Sequence, residues 1–306
     1  MDNNLNRNVF EMDKKTRLNY LENLAIEQAR NMPNRHEVDD FYSKIYKELE
    51  RISEIDVDLD FLVAKSIADI LSEIASKPNF VGMGCSSIVA YLIGITGKDP
   101  ALDPIKHGLV FERVFQKDRK GDMVFGFYVE NEVFEELMQN LKVLYGENIS
   151  LINDDIDGIR DDRILVINNI GVRVSSNFLR LRHCGFNINE LLDESTVGFF
   201  TEDYMHLLHY AFGYSYDEAN SIRLAALKTR IRRSEFFNVS FDSKFKDFGH
   251  ALNSGKDEEL FDQIIRGLKY SRSKAWVLSA QHVWNAYRDE RRNKLREKRL
   301  KNNENT

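Results

Sequence analysis

Three aspartates alternate at Asp56, Asp58 and Asp60, a spacing that could hold divalent cations. On a β-strand, alternate side chains lie on one face, so these carboxylates would converge as the oxygen ligands that hard cations prefer. At the start of a helix, the same acids would only complement the helix dipole. Other acidic pairs offer the same choice between a metal site and a solvated turn: Glu130 with Glu132, and Asp155 with Asp157.

Glycines and serines are concentrated between Phe80 and Ser87, directly before the apolar helix predicted over Ile88–Ile95. Backbone N–H groups in such a loop, and at the start of the helix, can hold phosphate. A tight turn leading into a core helix would produce the same pattern. The loop therefore marks four candidate phosphate-binding residues: Gly82, Gly84, Ser86 and Ser87.

Two segments in the second half of the chain are basic. Arg223–Arg233 contains five bases and no acids, and Arg288–Lys301 contains eight bases against three acids. Such segments bind nucleic-acid phosphates, although a solvated helix face has the same composition. The earlier segment Glu37–Glu73, with eleven acids and four bases, would repel phosphate. Because the net charge is −6, binding to nucleic acid would depend on a local basic surface.

Helices and strands must position these residues. Apolar residues recur about every 3.6 positions between residues 15 and 75, which predicts successive amphipathic helices. Met123–Val129 and Ile164–Ile167 predict strands, and a helix is predicted over Asn131–Tyr145. After Asn187 the pattern is helical again. The predicted fold class is α+β.

Five collinear segments resemble one family, the alpha subunit of bacterial DNA polymerase III, a C-family replicative DNA polymerase. Together they cover roughly residues 17 to 290. Tyr20–Glu27 resembles a lead-in helix of the family, and Phe80–Thr96 resembles its glycine loop with the helix that follows. Leu109–Phe115 is similar to an L-L-F-E-R-F-L segment. Phe212–Arg223 resembles a fingers helix, and Tyr270–Trp276 resembles a Y-G-F-N-K-S-H segment.

The resemblance implies a domain organisation. A flexible N-terminus over 1–16 would precede a helical lead-in and a polymerase-beta-like palm with a mixed sheet over 17–185. A mainly helical fingers-like domain would follow over 186–287, and a basic tail over 288–306. Asp56, Asp58 and Asp60 precede the glycine loop, where the family has a helix entry, which favours the helix interpretation of these acids.

The family's catalysis requires three aspartates that hold two Mg²⁺ ions. Two of them come from a P-D-x-D-x-D-F strand. Counting from the F-E-R match, the three aspartate positions of this strand hold Val124, Gly126 and Tyr128. The third aspartate belongs to a strand matched by Asn168–Val172, where Asn168 takes its place. The resemblance therefore implies that no catalytic residue and no metal site is retained.

The fingers segments of the family contact triphosphate and template. The resemblance and the neighbouring charges imply seven candidate contacts to nucleic acid or triphosphate: Arg223, Lys228, Arg230, Arg232, Arg233, Arg272 and Lys274. No base-reading residue is apparent among them. We expect weak DNA or primer-template binding without sequence specificity.

The sequence therefore predicts a catalytically inactive pseudo-polymerase that binds DNA, nucleotide or a replisome protein in DNA replication. Two alternatives stay open: an active nucleotidyltransferase with relocated carboxylates, and a purely structural interaction protein. No cofactor is expected, and Mg²⁺ would be required only by the first alternative. The polar N-terminus, the absence of an apolar run near 18 residues and the two cysteines predict a cytoplasmic protein without a membrane partner.

Overall fold

The computed structural model describes residues 9–32, 40–75, 77, 79–116, 125–153, 162–176, 200–228, 263–268 and 271–304. The chain divides into two units, of which the first combines Met1–Ile188 with Ala275–Thr306 and the second is Asn189–Lys274. The first unit is thus discontinuous in sequence. The predicted domain boundaries stay predictions, although the last part of the predicted fingers-like domain, from Ala275, lies in the first unit.

Three helices form the N-terminal part of the first unit: α1 (Lys14–Arg30), α2 (Phe41–Glu54) and α3 (Asp58–Ile74). Asp13 caps α1 by accepting a hydrogen bond of 2.7 Å from the Thr16 amide. Each helix buries a stripe of apolar side chains at helical spacing in one shared core. The predicted succession of amphipathic helices is confirmed.

Two further helices, α4 and α5, belong to this unit. The glycine loop leads into the short α4 (Ile88–Leu92), all of whose residues are buried. Helix α5 (Asn131–Tyr145) has the predicted bounds and ends at Gly146, whose φ of 63° is costly for other residues.

The sheet of the first unit is mixed. Its strands are β1 (Gly126–Tyr128), β2 (Ile149–Asn153), β3 (Asp162–Ile167) and β4 (Ile170–Ser175), in the order β1-β4-β3-β2. Strand β1 runs parallel to β4, whereas β2–β3 and β3–β4 are antiparallel. One face of the sheet buries four apolar side chains: Leu165, Ile167, Val172 and Val174. The α+β fold is therefore confirmed.

The second unit is described through two helices, α6 (Thr201–Phe212) and α7 (Tyr216–Lys228), and through a helical stretch at 263–268. Gly213, with φ of 74°, ends α6 and turns the chain toward α7. Helix α8 (Lys274–Glu304) begins at the end of this unit and continues in the first. None of the described helices is long and apolar enough to span a membrane.

Candidate functional site

Strand β1 carries two of the matched catalytic positions and is hydrogen-bonded along both edges. On one side Gly126 is paired with Arg173 of β4, and Tyr128 with Ser175. On the other side the Val81 amide donates to the Gly126 carbonyl at 2.9 Å, and the Tyr128 amide donates to the Asn79 carbonyl at 2.7 Å. Because side chains alternate along a strand, positions 126 and 128 share one face.

Neither of these positions offers a carboxylate or space for one. A Cβ atom at Gly126 would lie 2.7 Å from the carbonyl oxygen of Val81. Tyr128 is 1% exposed and packs against three residues of α8, Ala280, Val283 and Tyr287. Val124 lies outside the described residues. The face of β1 that carries positions 126 and 128 is part of the protein core.

The structure corrects the predicted place of Asn168. The sequence match put this residue on a strand, but Asn168 and Asn169 form the two-residue turn between β3 and β4. Their φ angles, 46° and 70°, are those of a left-handed turn, which asparagine tolerates better than most residues. The residue that β4 does place beside Gly126 is Arg173.

The four candidate phosphate-binding residues lie together, with their hydrogen-bonding groups turned toward the chain itself. The Gly82 amide donates to Ser279 Oγ at 3.0 Å, and Ser86 Oγ donates to the Met83 carbonyl at 2.9 Å. A Cβ atom at Gly84 would lie 2.8 Å from the Phe125 ring, so a glycine is required by close packing. These contacts are those of a tight turn.

The start of α4 already holds a carboxyl group, the side chain of Glu48. Its two carboxylate oxygens accept hydrogen bonds from the Ile88 amide at 3.0 Å, the Val89 amide at 3.1 Å and the Ser87 hydroxyl at 2.8 Å. Burial raises the pKa of Glu48 to about 8, although these three donors act to lower it. Glu48 thus occupies the amides that could have received a phosphate.

Sequence reasoning missed Glu48, although a signal for it exists. It lies within the apolar stripe of α2 formed by Ile45, Leu49 and Ile52, where a carboxylate requires buried partners. Tyr287 was also missed, because its contact with Tyr128 joins positions far apart in sequence.

The alternating aspartates begin a helix, as the structure confirms. Asp58 and Asp60 lie in the first turn of α3. Asp58 is buried in an ion pair with Arg17, and the more exposed Asp56 pairs with Lys14. Burial raises the pKa of Asp60 to about 6. Over the described parts of the chain, no three His, Cys, Asp or Glu side chains are grouped to hold a metal ion. Asp155 and Asp157 lie outside those parts.

The candidate basic contacts of the second unit are not gathered on one described surface. Arg223 is 7% exposed and donates to Asn220 Oδ1 at 2.7 Å. The Lys274 ammonium lies 3.6 Å from a carboxylate oxygen of Asp203, and only Arg272 is exposed among the three described side chains. Lys228 ends α7, and its side chain is not described. The remaining candidates lie outside the described residues: Arg230, Arg232 and Arg233.

The basic tail predicted over 288–306 begins as a helix. Residues to Glu304 continue α8. Arg292 and Arg296, one helical turn apart, are both exposed. Among the described basic side chains of this segment, these two are the exposed ones, whereas Arg288 is half-buried.

Comparison with known proteins finds similarity in sequence over the first half of the chain. Residues 19–153 match the family model "Bacterial DNA polymerase III alpha NTPase domain". This stretch is similar to a domain of DNA polymerase III alpha. It includes most of α1, the glycine loop and β1. The two predicted fingers matches, at 212–223 and 270–276, fall outside it.

Individual relatives are similar at low identity. The chain is 28% identical over 128 residues to the error-prone DNA polymerase of Bdellovibrio bacteriovorus, which is 42% of this chain and 12% of that protein. It is 37% identical over 83 residues to DNA polymerase III subunit alpha of Streptococcus pyogenes, covering 26% of this chain and 7% of the relative. A further match is the error-prone DNA polymerase of Hahella chejuensis, 31% identical over 127 residues. The chain thus spans a small part of each relative's length.

Proposed function

We propose that this protein is a catalytically inactive relative of the DNA polymerase III alpha palm, acting in DNA replication by binding DNA. This proposal rests on the surroundings of two residues of β1, Gly126 and Tyr128. Gly126 has no space for a side chain, and Tyr128 is buried against α8. Two-metal phosphoryl transfer needs carboxylates that project into an open cleft, and β1 supplies neither the carboxylates nor the cleft.

The glycine loop supports the same proposal. In an active relative its amides and the following helix would be directed at phosphate, whereas here Glu48 takes the amides of Ile88 and Val89. A triphosphate at this place would have to displace a buried carboxylate and would meet its charge whenever Glu48 is ionised.

DNA is the partner we propose, bound weakly and without sequence specificity. The relatives that match this domain are DNA polymerases by name. Arg292 and Arg296 on α8 offer two exposed cations at helical spacing. Phosphate contacts of this kind bind any sequence and weaken with salt. Nucleotide or a replisome protein would be alternative partners for the same chain.

A primer-extension assay with Mg²⁺ and with Mn²⁺ tests the absence of catalysis. We expect no extension by the purified full chain at concentrations where an active polymerase extends every primer. Metal-dependent extension that is lost in Asp56→Ala or Asp155→Ala would replace our proposal with that of an active nucleotidyltransferase using relocated carboxylates.

A further inference from the structure

The two edges of the sheet differ in what lies beside them. The edge formed by β1 is closed by the segment 79–81, whose Val81 amide and Asn79 carbonyl are hydrogen-bonded to the backbone of β1. The opposite edge is β2, and among the described residues its strand partner is β3 alone. The outer side of β2 is therefore an open sheet edge.

The outward backbone groups of β2 follow from its pairing with β3. The Asn168 amide donates to the Asn148 carbonyl at 3.1 Å, in register with the pairs that β2 makes with β3. In an antiparallel ladder, hydrogen-bonded pairs alternate with pairs that are not hydrogen-bonded. Every second residue of β2 thus directs its amide and carbonyl at β3. The other three, Ile149, Leu151 and Asn153, direct theirs outward, away from β3.

Apolar side chains border this edge on both faces of the sheet. Leu151 is paired with Leu165 and so lies on the face that buries Leu165 in the core, yet Leu151 itself is 42% exposed. Ile152 lies on the other face and is 53% exposed. A strand added beside β2 would cover both side chains while it bonds to the backbone.

Strand β2 lacks the features that keep the edge strands of soluble proteins from pairing. Such strands usually carry a charged side chain, a proline or a bulge. The residues from Ile149 to Asn153 include no charge and no proline, and they pair with β3 in one continuous register. An edge of this kind can accept a further strand, in which the main chain supplies affinity and the side chains supply specificity.

Acidic residues flank β2 and restrict the partner. Between residues 143 and 157 the sequence has four acids and no base: Glu147, Asp154, Asp155 and Asp157. Glu147, just before β2, is exposed. If two identical chains paired antiparallel through β2, the start of one strand would lie beside the end of the other, so these acids would repel one another. Basic residues at the ends of a partner strand would instead be attracted.

We propose that the outer edge of β2 binds an extended segment of a partner protein, with apolar residues at its centre and lysine or arginine at its ends. The segment lies antiparallel to β2, because antiparallel pairing is the more stable arrangement. Leu151 and its alternate neighbours supply the main-chain hydrogen bonds, and Leu151 and Ile152 supply the apolar contacts. This protein-binding site does not depend on the DNA binding proposed for α8.

A fluorescein-labelled peptide, Lys-Lys-Thr-Val-Val-Val-Thr-Lys-Lys, tests the proposal by fluorescence anisotropy with the full chain. We expect saturable binding. A peptide with glutamate in place of every lysine should bind at least about fivefold more weakly at low salt, and the difference should shrink at about 0.5 M salt because salt screens the charges.

N-methylated peptides test whether the main chain is recognised. Alternate amides of an added strand face β2, and the amides between them face away. N-methylation of the central valine and N-methylation of the valine next to it should therefore have opposite effects, since one abolishes binding and the other preserves it.

Variants of the chain locate the site. Leu151→Pro removes an outward amide that β3 does not use, so the chain should fold while binding weakens by about tenfold or more. Leu151→Lys places a charge on the same edge, repels the lysine peptide and should weaken binding similarly. The matched control is Tyr46→Lys on α2, where a side chain that is 49% exposed is replaced by the same charge outside the sheet. Binding should be unchanged in this control.

Three results would overturn the proposal: no binding of the lysine peptide to the parent chain, equal binding to Leu151→Lys and Tyr46→Lys, or equal behaviour of the two N-methylated peptides. Analytical ultracentrifugation adds a fourth, because a dimer that Leu151→Lys dissociates would make a second copy of the chain the occupant of this edge. DNA binding by the same variants should be unchanged, so the two proposals fail separately.

Discussion

The ring of Tyr287 meets the ring of Tyr128 edge to face, with centroids 4.9 Å apart and planes at 72°. The same Tyr287 donates its hydroxyl to Asn79 Oδ1 at 3.1 Å. One residue of α8 thus contacts both β1 and the segment that pairs with it. The contact covers the face of β1 that carries Tyr128.

We expect Tyr287→Ala to destabilise the first unit by about 3–5 kcal/mol, because a buried aromatic ring leaves a cavity when truncated. Tyr287→Phe should cost only about 1 kcal/mol, the net value of one hydrogen bond. The two tryptophans of the chain, Trp276 and Trp284, both lie on α8, so their fluorescence in urea follows this unit. Tyr210→Ala, at a ring that is 78% exposed, is the control and should change stability by less than about 0.5 kcal/mol. Equal effects of Tyr287→Ala and Tyr210→Ala would contradict the packing described.

The second prediction concerns restoring the missing aspartates. Val124→Asp, Gly126→Asp and Asn168→Asp together should give no primer extension, because position 126 has no space and position 168 lies in a turn. Gly126→Ala alone should cost about 1–3 kcal/mol, since its Cβ atom would overlap a backbone oxygen that cannot move independently. Extension by the triple variant, or a Gly126→Ala variant as stable as the parent, would show that β1 can open.

Glu48 gives the protein a stability that depends on pH. Its pKa is about 8 in the folded state against 4.5 as its ordinary value, so the folded protein holds the proton over this interval. The free energy of unfolding should therefore fall as pH rises from about 5 to about 8. Between pH 6.5 and pH 8 the decrease should reach at most about 2 kcal/mol, at about 1.36 kcal/mol per unit.

Among the described residues, Asp60 and His282 also have shifted pKa values that act at lower pH. As pH rises, Asp60, whose pKa is about 6, lowers the free energy of unfolding mainly below pH 6. His282, whose pKa is lowered, raises the free energy of unfolding mainly below about pH 6.5. Urea unfolding of the parent chain and of Glu48→Gln at pH 6.5, 7.2 and 8 separates the contribution of Glu48 from the rest. Glu48→Gln should flatten the dependence in that window, whereas an unchanged slope in this variant would assign the effect elsewhere.

The fourth prediction concerns DNA binding by α8. The double variant Arg292→Glu with Arg296→Glu should bind DNA with a weaker dependence on salt. The plot of log affinity against log salt should become less steep by about 0.7 for each phosphate of single-stranded DNA that the helix no longer neutralises. Fluorescence anisotropy over a salt series measures it. The control is the double reversal of Lys47 and Lys142, exposed lysines of α2 and α5, which changes the net charge equally. If Arg272→Glu alone abolishes binding while the α8 variant does not, the second unit binds the DNA.

The sequence predicted the helices and strands better than the contacts between them. Helix α5 and strand β3 follow from local patterns, because a 3.6-residue period and a short apolar run each determine an element without help from distant residues. Asn168 was assigned to a strand because family matching ignores the φ angles that two consecutive asparagines favour in a turn. Glu48 and Tyr287 could not be found from a motif. Their roles depend on donors and rings 39 to 208 positions away, which no local pattern encodes.

The segment 79–85 is bound to α8 by hydrogen bonds between residues 190 to 208 positions apart: Cys85 with Ala275, Gly82 with Ser279, and Asn79 with Tyr287. Such non-local contacts slow folding, since a long loop must close before they form. At about 5–20 residues per second on the ribosome, α8 is synthesised roughly 10–40 s after the segment it binds. The whole second unit emerges in that interval. Until α8 is made, the Tyr128 side chain lacks the residues of α8 that cover it. The nascent chain therefore exposes an aromatic side chain of β1 during this interval, and that side chain could promote aggregation or bind a chaperone.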